Sequence, residues 1–276
     1  MPISGGAYTG PKEVKYLFVD GACLRQIMQN ISDKFLDGRE IALNYQYLKG
    51  RYNKVFYYDA VYVKKHNESD VDYEARIQPR VSELQAIRML DGYHVYEGDV
   101  RRRGKRGNEQ KKVDVMIAVD MLTHSFRKNM HQASLLTNDL DFKPLIDALV
   151  QGGMHVELIY ERGYANDELI AAADKKTPLI PNNISHWITN LTKEERVKYF
   201  PQPSSSSSYR PDRVLLEWTD EYSVQRSLSV FEDVFHFHKR GVSMSPNGYK
   251  HTDLSILKEW VEVTELVKIP DVIDEQ

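Results

Sequence analysis

The chain has 276 residues, is 41% hydrophobic and 28% charged, and carries a formal net charge of −3. That length and balance predict one large globular domain, or one domain with an appendage, and exclude a field that draws nucleic acid to the whole surface. No apolar run approaches the ~20 residues of a membrane helix, the N-terminus lacks the pattern of a signal peptide, and the single cysteine, Cys23, leaves no internal disulfide. Together these features predict a cytoplasmic chain with no membrane partner.

In chain order, residues 15–19 predict a strand and 23–36 a helix. "KVFYYDAVYV" (54–63) is rich in Val, Tyr and Phe and predicts a second strand. Residues 70–90 predict a helix interrupted or kinked at Pro79. "YHVYEGDV" (93–100) predicts a third strand, and 113–127 an apolar helix. "ASLLTND" (133–139) and "MHVELIYE" (154–161) predict two more strands. Helices are predicted over 141–153 and 165–174. Short apolar strands alternating with helices predict an α/β fold with a mostly parallel five-stranded sheet covered on both faces. Ligands then belong in the crevice outside the carboxyl ends of the strands.

"FPQPSSSSSYRP" (200–211) reads as a linker, because its prolines and serines oppose a packed element. The expected division is a domain over 12–199, the linker over 200–211, and a small C-terminal domain over 212–276. The role of that last segment is open; it is the place for a homo-oligomer contact or a protein partner.

Three segments deliver carboxylates to one rim. The first strand stops on Asp20 and is followed at once by Gly21, which turns without a Cβ. "KKVDVMIAVDML" puts Asp114 in the first turn of its helix, and "TNDLDF" puts Asp139 at a strand end and Asp141 at a helix start. Taken singly, Asp141 also reads as a helix N-cap, Asp114 as a dipole partner and Asp20 as a turn initiator. As a set they would raise one another's pKa unless a cation joins them. Oxygen-only donors suit Mg²⁺ or Mn²⁺, and such ions beside a phosphodiester suit hydrolysis by activated water.

"FVDGACL", "KKVDVMIAVDML" and "LLTNDLDFKPLIDAL" resemble, in order and spacing, the signature segments of the NYN domain, in the LabA-like branch of the PIN-like nuclease superfamily. The resemblance spans about residues 14–175. It implies a PIN-like three-layer α/β sandwich and a metal-dependent endoribonuclease acting on RNA, with Asp20, Asp114, Asp139 and Asp141 as catalytic and metal-holding acids. One position departs: the family has Asn three residues after its first aspartate, where this chain has Cys23. The alternative is therefore a degenerate domain that binds RNA or protein without cutting. A phosphotransferase with Asp20 as nucleophile is a weaker third reading, since Ala22 stands where a second acid is expected.

Other residues fall beside this set. "RRRGKRGNEQKK" (101–112) holds seven Lys/Arg against one Glu just before the Asp114 helix. Arg101, Arg102, Arg103, Lys105, Arg106, Lys111 and Lys112 are thereby expected to contact the phosphates of single-stranded RNA. Asp120 interrupts an apolar helix and needs a partner; it lies about 9 Å along and about 240° around from Asp114, so a supporting role is expected. Asn138, Asp59 and Cys23 are weaker candidates near the rim.

Overall fold

The computed structural model describes residues 13–62, 64–102, 108–109, 111–207, 210–240 and 247–271. The order begins β1 (Lys15–Asp20), α1 (Gly21–Phe35), α2 (Tyr45–Lys49), β2 (Lys54–Tyr62), α3 (Asp70–Arg88), β3 (Tyr93–Arg102), β4 (Asn108–Glu109) and α4 (Lys111–Phe126). It continues with β5 (Gln132–Leu136), α5 (Lys143–Gln151), β6 (His155–Glu161), α6 (Asp167–Ala172), β7 (Lys175–Leu179), α7 (Pro181–Ser185) and α8 (Lys193–Tyr199). The C-terminal part adds β8 (Gln202–Ser204), β9 (Arg213–Thr219), β10 (Gln225–Phe231), β11 (Val234–Lys239), β12 (Gly248–His251) and α9 (Leu254–Glu265). No described helix is long and apolar enough to cross a membrane.

The first sheet has the order β4-β3-β2-β1-β5-β6-β7. Strands β3, β2, β1, β5 and β6 pair in parallel, and β7 continues in the same direction, with Asp174 N donating to Val156 O. The sheet is therefore wider than five strands. Strand β7 holds Lys-Lys-Thr-Pro-Leu, whose polarity and proline hide it from a hydrophobic pattern. An edge strand tolerates both, because only one side must donate to a ladder. The five strands read from sequence are apolar because helices bury both of their faces.

Alternation decides which face each residue serves. Tyr16 and Phe18 of β1, Phe56 and Tyr58 of β2, and Ala133 and Leu135 of β5 pack under Val113, Ile117 and Met121 of α4 and Leu145, Ile146 and Leu149 of α5. The opposite face of β2 meets α2 and α3, where Tyr57 lies 6.0 Å from Tyr45 and receives a hydrogen bond from Arg80. Pro79 sits inside α3 without ending it.

The chain divides into two compact units. Among the described residues, one comprises those within 1–24, 45–160 and 165–177; the other comprises those within 25–44, 161–164 and 178–276. The second unit contains an antiparallel sheet of order β8-β12-β11-β10-β9, with Leu228 and Phe237 packed on Leu257 and Val261 of α9. Its edge strand β8 lies inside the stretch expected to be linker. Pro203 is compatible with pairing there because β8 bonds to β12 on one side only.

In this unit His236 and His238 share a face of β11, with ring centroids 5.9 Å apart. Both ring systems meet the Ser204 hydroxyl, at 2.9 and 3.1 Å. Burial holds both imidazoles down at about 4, assisted by Lys250 at His236 and by His236 at His238. The unfolded chain takes up these protons near pH 6.5, so their contribution to stability is full above that pH and is lost as pH falls towards about 4. The linkage is worth about 3 kcal/mol for one such histidine. All three tryptophans, Trp187, Trp218 and Trp260, belong to this unit, so tryptophan fluorescence in urea reports it alone. The unit is expected to lose stability between pH 7 and pH 5, and His238→Gln should flatten that loss. Equal pH slopes in both proteins would exclude this source.

Candidate active site

Asp20 ends β1 on the face that α4 covers, and its side chain is 9% exposed. The helix α1 starts at the next residue, so the backbone N–H groups of Ala22 and Cys23 point back at Asp20 Oδ1, at 3.1 and 3.2 Å. Its Oδ2 accepts from the Thr137 hydroxyl at 3.1 Å. Gly21 is required by closeness: a Cβ there would stand 2.3 Å from Asp59 Oδ2 and 2.7 Å from Tyr58 O.

Strand β1 lies between β2 and β5. The chain leaves β1 towards one side and returns on the other, which opens the switch-point crevice at the carboxyl ends. Thr137 follows β5 there and links two acids, because the Asp139 backbone N–H donates to the same hydroxyl at 3.2 Å. Asp139 Oδ1 accepts from the Asp141 N–H at 2.9 Å and caps the short 3₁₀ turn Leu140–Phe142. The cap is thus Asp139 and not Asp141. Both of these acids are exposed, and Asn138 between strand and cap is half-buried.

Asp114 comes from the first turn of α4 and is half-buried. Gly98 lets the helix approach β3, since a Cβ there would meet Val113 Cγ2 at 2.6 Å. Burial pushes the Asp114 carboxyl up to about 6, and the charges of Asp20, Asp139 and Asp141 add to the rise. Burial also raises Asp20, against the hydrogen bonds from Cys23, Thr137 and Ala22 and with the help of Asp139. The four acids therefore act on a common region, although they come from three separate segments.

The supporting candidates separate. Asp120 is half-buried and accepts a 2.7 Å hydrogen bond from the Tyr58 hydroxyl, which supplies the partner its apolar surroundings demand. Asp59 lies on the other face of the sheet from Asp20, with its Oδ2 close to Gly21. It is fully buried and ion-paired with Arg80 of α3. The reason is the two-residue period of a strand: Asp59 follows Tyr58 and so faces α3, whereas Asp20 shares the α4 face with Phe18. The Cys23 backbone contacts Asp20 and its side chain is half-buried. Thr137 carries no charge and so stands outside the acid pattern of the sequence, although its place two residues before Asp139 in "TND" marks it.

Arg101 and Arg102 lie in β3, where they pair with Glu109 and Asn108 of β4, and Lys111 begins α4. Lys112 is exposed. Arg103, Lys105 and Arg106 lie outside the described residues.

Among the described residues, no three His, Cys, Asp or Glu side chains form a group able to hold a metal ion. A cage made wholly of protein ligands does not match this arrangement. The donor chemistry does match a hard, hydrated cation, which needs only one or two carboxylates and keeps several waters.

The NYN domain family model matches residues 15–180, more than half of the chain. A crystal structure of a protein of unknown function from Vibrio parahaemolyticus RIMD 2210633 is similar at 14% identity, over 64% of this chain and 97% of that one, with a TM-score of 0.44. No curated protein matches the chain.

Proposed function

We propose that this chain, which belongs to the NYN domain family and so to the PIN-like nuclease superfamily, is a metal-dependent endoribonuclease working through Asp20, Asp114, Asp139 and Asp141. The observation that supports this most directly is the convergence of four carboxylates from three segments, close enough that Asp20, Asp139 and Asp141 each add to the rise that burial imposes on Asp114. Mutual repulsion of that kind is relieved by a bound cation. The four acids would hold Mg²⁺ or Mn²⁺, directly or through its waters. Such an ion supplies a polarised phosphoryl oxygen and a more acidic water when bound.

The residues of the chain do the rest. Backbone N–H groups and Thr137 fix the Asp20 carboxylate before any ligand arrives, which saves reorganisation during reaction. Asp139 orders the turn that carries Asp141. The cations of 101–112 are assigned to phosphates of single-stranded RNA, next to the helix that carries Asp114. Incubating the purified chain with labelled single-stranded RNA and Mn²⁺ tests the proposal, with an EDTA control. Internal cleavage that EDTA abolishes is expected, and intact RNA under both conditions rejects it.

Cys23 favours a second reading, a domain that binds RNA but cuts poorly. A thiol is a weak donor and acceptor where the family has an amide, and misplaced reactants cost about 100-fold in rate. Cys23→Asn is expected to raise the cleavage rate while leaving Mn²⁺ affinity nearly unchanged. If wild type already cuts briskly and the variant is no faster, the position is neutral.

A further inference from the structure

We propose that a basic and aromatic patch at the amino ends of β1–β3, opposite the acids, holds the flank of a single-stranded RNA whose reacting phosphate lies at the acidic rim; the assignment rests on the nuclease reading. The patch belongs wholly to the first compact unit. Lys54 opens β2 and is exposed, with its ammonium 5.8 Å from the centre of the Tyr16 ring. Arg127 follows the last turn of α4 and is exposed, next to Phe126, which is 79% exposed.

Beside these cations lies a bank of rings. His94 stacks on Phe56 at 5.2 Å and 22°, and His124 lies 4.8 Å from the same ring. Tyr96 stacks on Tyr58 at 5.1 Å and 15°. His94, Tyr96 and His124 are all half-buried, so each residue is partly open to solvent. Lys54, Arg127 and His94 act on His124 with the same sign, after burial and the opposing charge of Asp120. Both cations therefore lie within electrostatic range of His124. Asp120 is the acid that faces His124, and the Tyr58 hydroxyl already bonds it.

The position suits a continuing strand. Tyr16 pairs with Lys54 and Asp20 with Tyr58, which sets the patch about 13 Å along the sheet from Asp20. On β3, His94 pairs with Phe56 midway between the two levels, and Tyr96 pairs with Tyr58 at the level of Asp20, so the rings lead from the patch towards the rim. Cations that take phosphates, beside open rings on which bases stack, form the usual recognition set for single strands. A chain with a net charge of −3 has no general attraction for RNA, so a local patch of this sign must act by its own contacts.

The test uses the full chain in EDTA and fluorescein-labelled oligouridylates of about 4 and about 16 nucleotides, a range that single-strand-binding folds cover. Wild type is expected to bind the longer RNA more tightly. Lys54→Gln combined with Arg127→Gln should weaken the longer RNA roughly tenfold at low salt and lower its salt slope by about 1.4, one phosphate per cation. Binding of the shorter RNA should not change. Phe126→Ala should also weaken only the longer RNA. The proposal is overturned if length gives no advantage, if the double variant keeps wild-type affinity and slope, or if Phe126→Ala alters only sedimentation, which would make this face a contact between copies. Cleavage in Mn²⁺ is scored separately. Length-dependent binding without cleavage removes the nuclease reading and leaves the patch standing, while cleavage without the length effect does the reverse.

Discussion

Replacing Asp20 by Asn is expected to slow cleavage of single-stranded RNA by about 100- to 1,000-fold, the range found when one preorganised electrostatic group is removed from a reaction site. The fold should survive. The amide oxygen can still accept from the Ala22 and Cys23 N–H groups, and the amide nitrogen can donate to Thr137 Oγ1, whose hydroxyl reverses its role. What is lost is one negative charge at the carboxyl end of β1. Asp114 would be relieved of one of the three charges that raise it, so its carboxyl should titrate below about 6 in the variant. Single-turnover cleavage in Mn²⁺ and carboxyl chemical shifts measure the two effects. An unfolded variant would leave the rate uninterpretable; Asp139→Asn and Asp141→Asn, both at exposed positions, then carry the test. Wild-type rates in all three variants would remove these acids from the chemistry.

Glu157→Ala is expected to destabilise the first compact unit by about 3–5 kcal/mol, the cost of taking one partner from a buried charge network. Glu157 is 0% exposed in the middle of β6. Its carboxylate accepts from Gln132 at 2.6 Å, Ser134 at 2.8 Å, Thr177 at 2.6 Å, Tyr52 at 3.1 Å and Arg51 at 2.7 Å. Lys175 lies at 2.8 Å. Burial alone would raise the carboxyl, but Lys175, Thr177, Ser134 and Arg51 outweigh it and hold the group at about 2. The side chains of Arg51 and Lys175 are 50% and 42% exposed and can turn to water. Gln132 and Ser134 are buried and cannot, so their lost bonds dominate the cost. The pH sign follows from the depressed pKa. The contribution is full above the ordinary carboxylate value near 4.5 and falls, by about 3 kcal/mol, as pH drops towards about 2. Hydrogen exchange along β5 and β6 measures both. Unchanged protection in Glu157→Ala would mean that the buried hydroxyls and amide repartner among themselves.

Much of the candidate site was legible in the sequence because its causes are local. An apolar strand that stops on an acid, as at Asp20, announces its carboxyl end. "TNDLDF" carries both the strand end and the turn that Asp139 caps. Asp120 demanded a partner because its neighbours on α4 are apolar, and Tyr58 is that partner. The same local logic hid β7 and β8, where proline and polar residues are tolerated only because the strands lie at sheet edges. No residue within these segments records that they are edges.

The sequence by itself determined the kinds of element, the apolar faces and the acids that end them, since periodicity and chain termination depend on residues a few positions apart. Tertiary structure decided what meets what. Thr137 reaches Asp20 across 117 positions only because β1 pairs with β5. Asp59, one residue beyond the level of Asp20, turns away to Arg80 because pairing register assigns alternate residues to opposite faces. Glu157, polar in a strand read as core, is stable because residues from β5, β7 and the segment after α2 converge on it. Such contacts are chosen by strand order and register, which are long-range pairings, and no local window of the chain contains both partners.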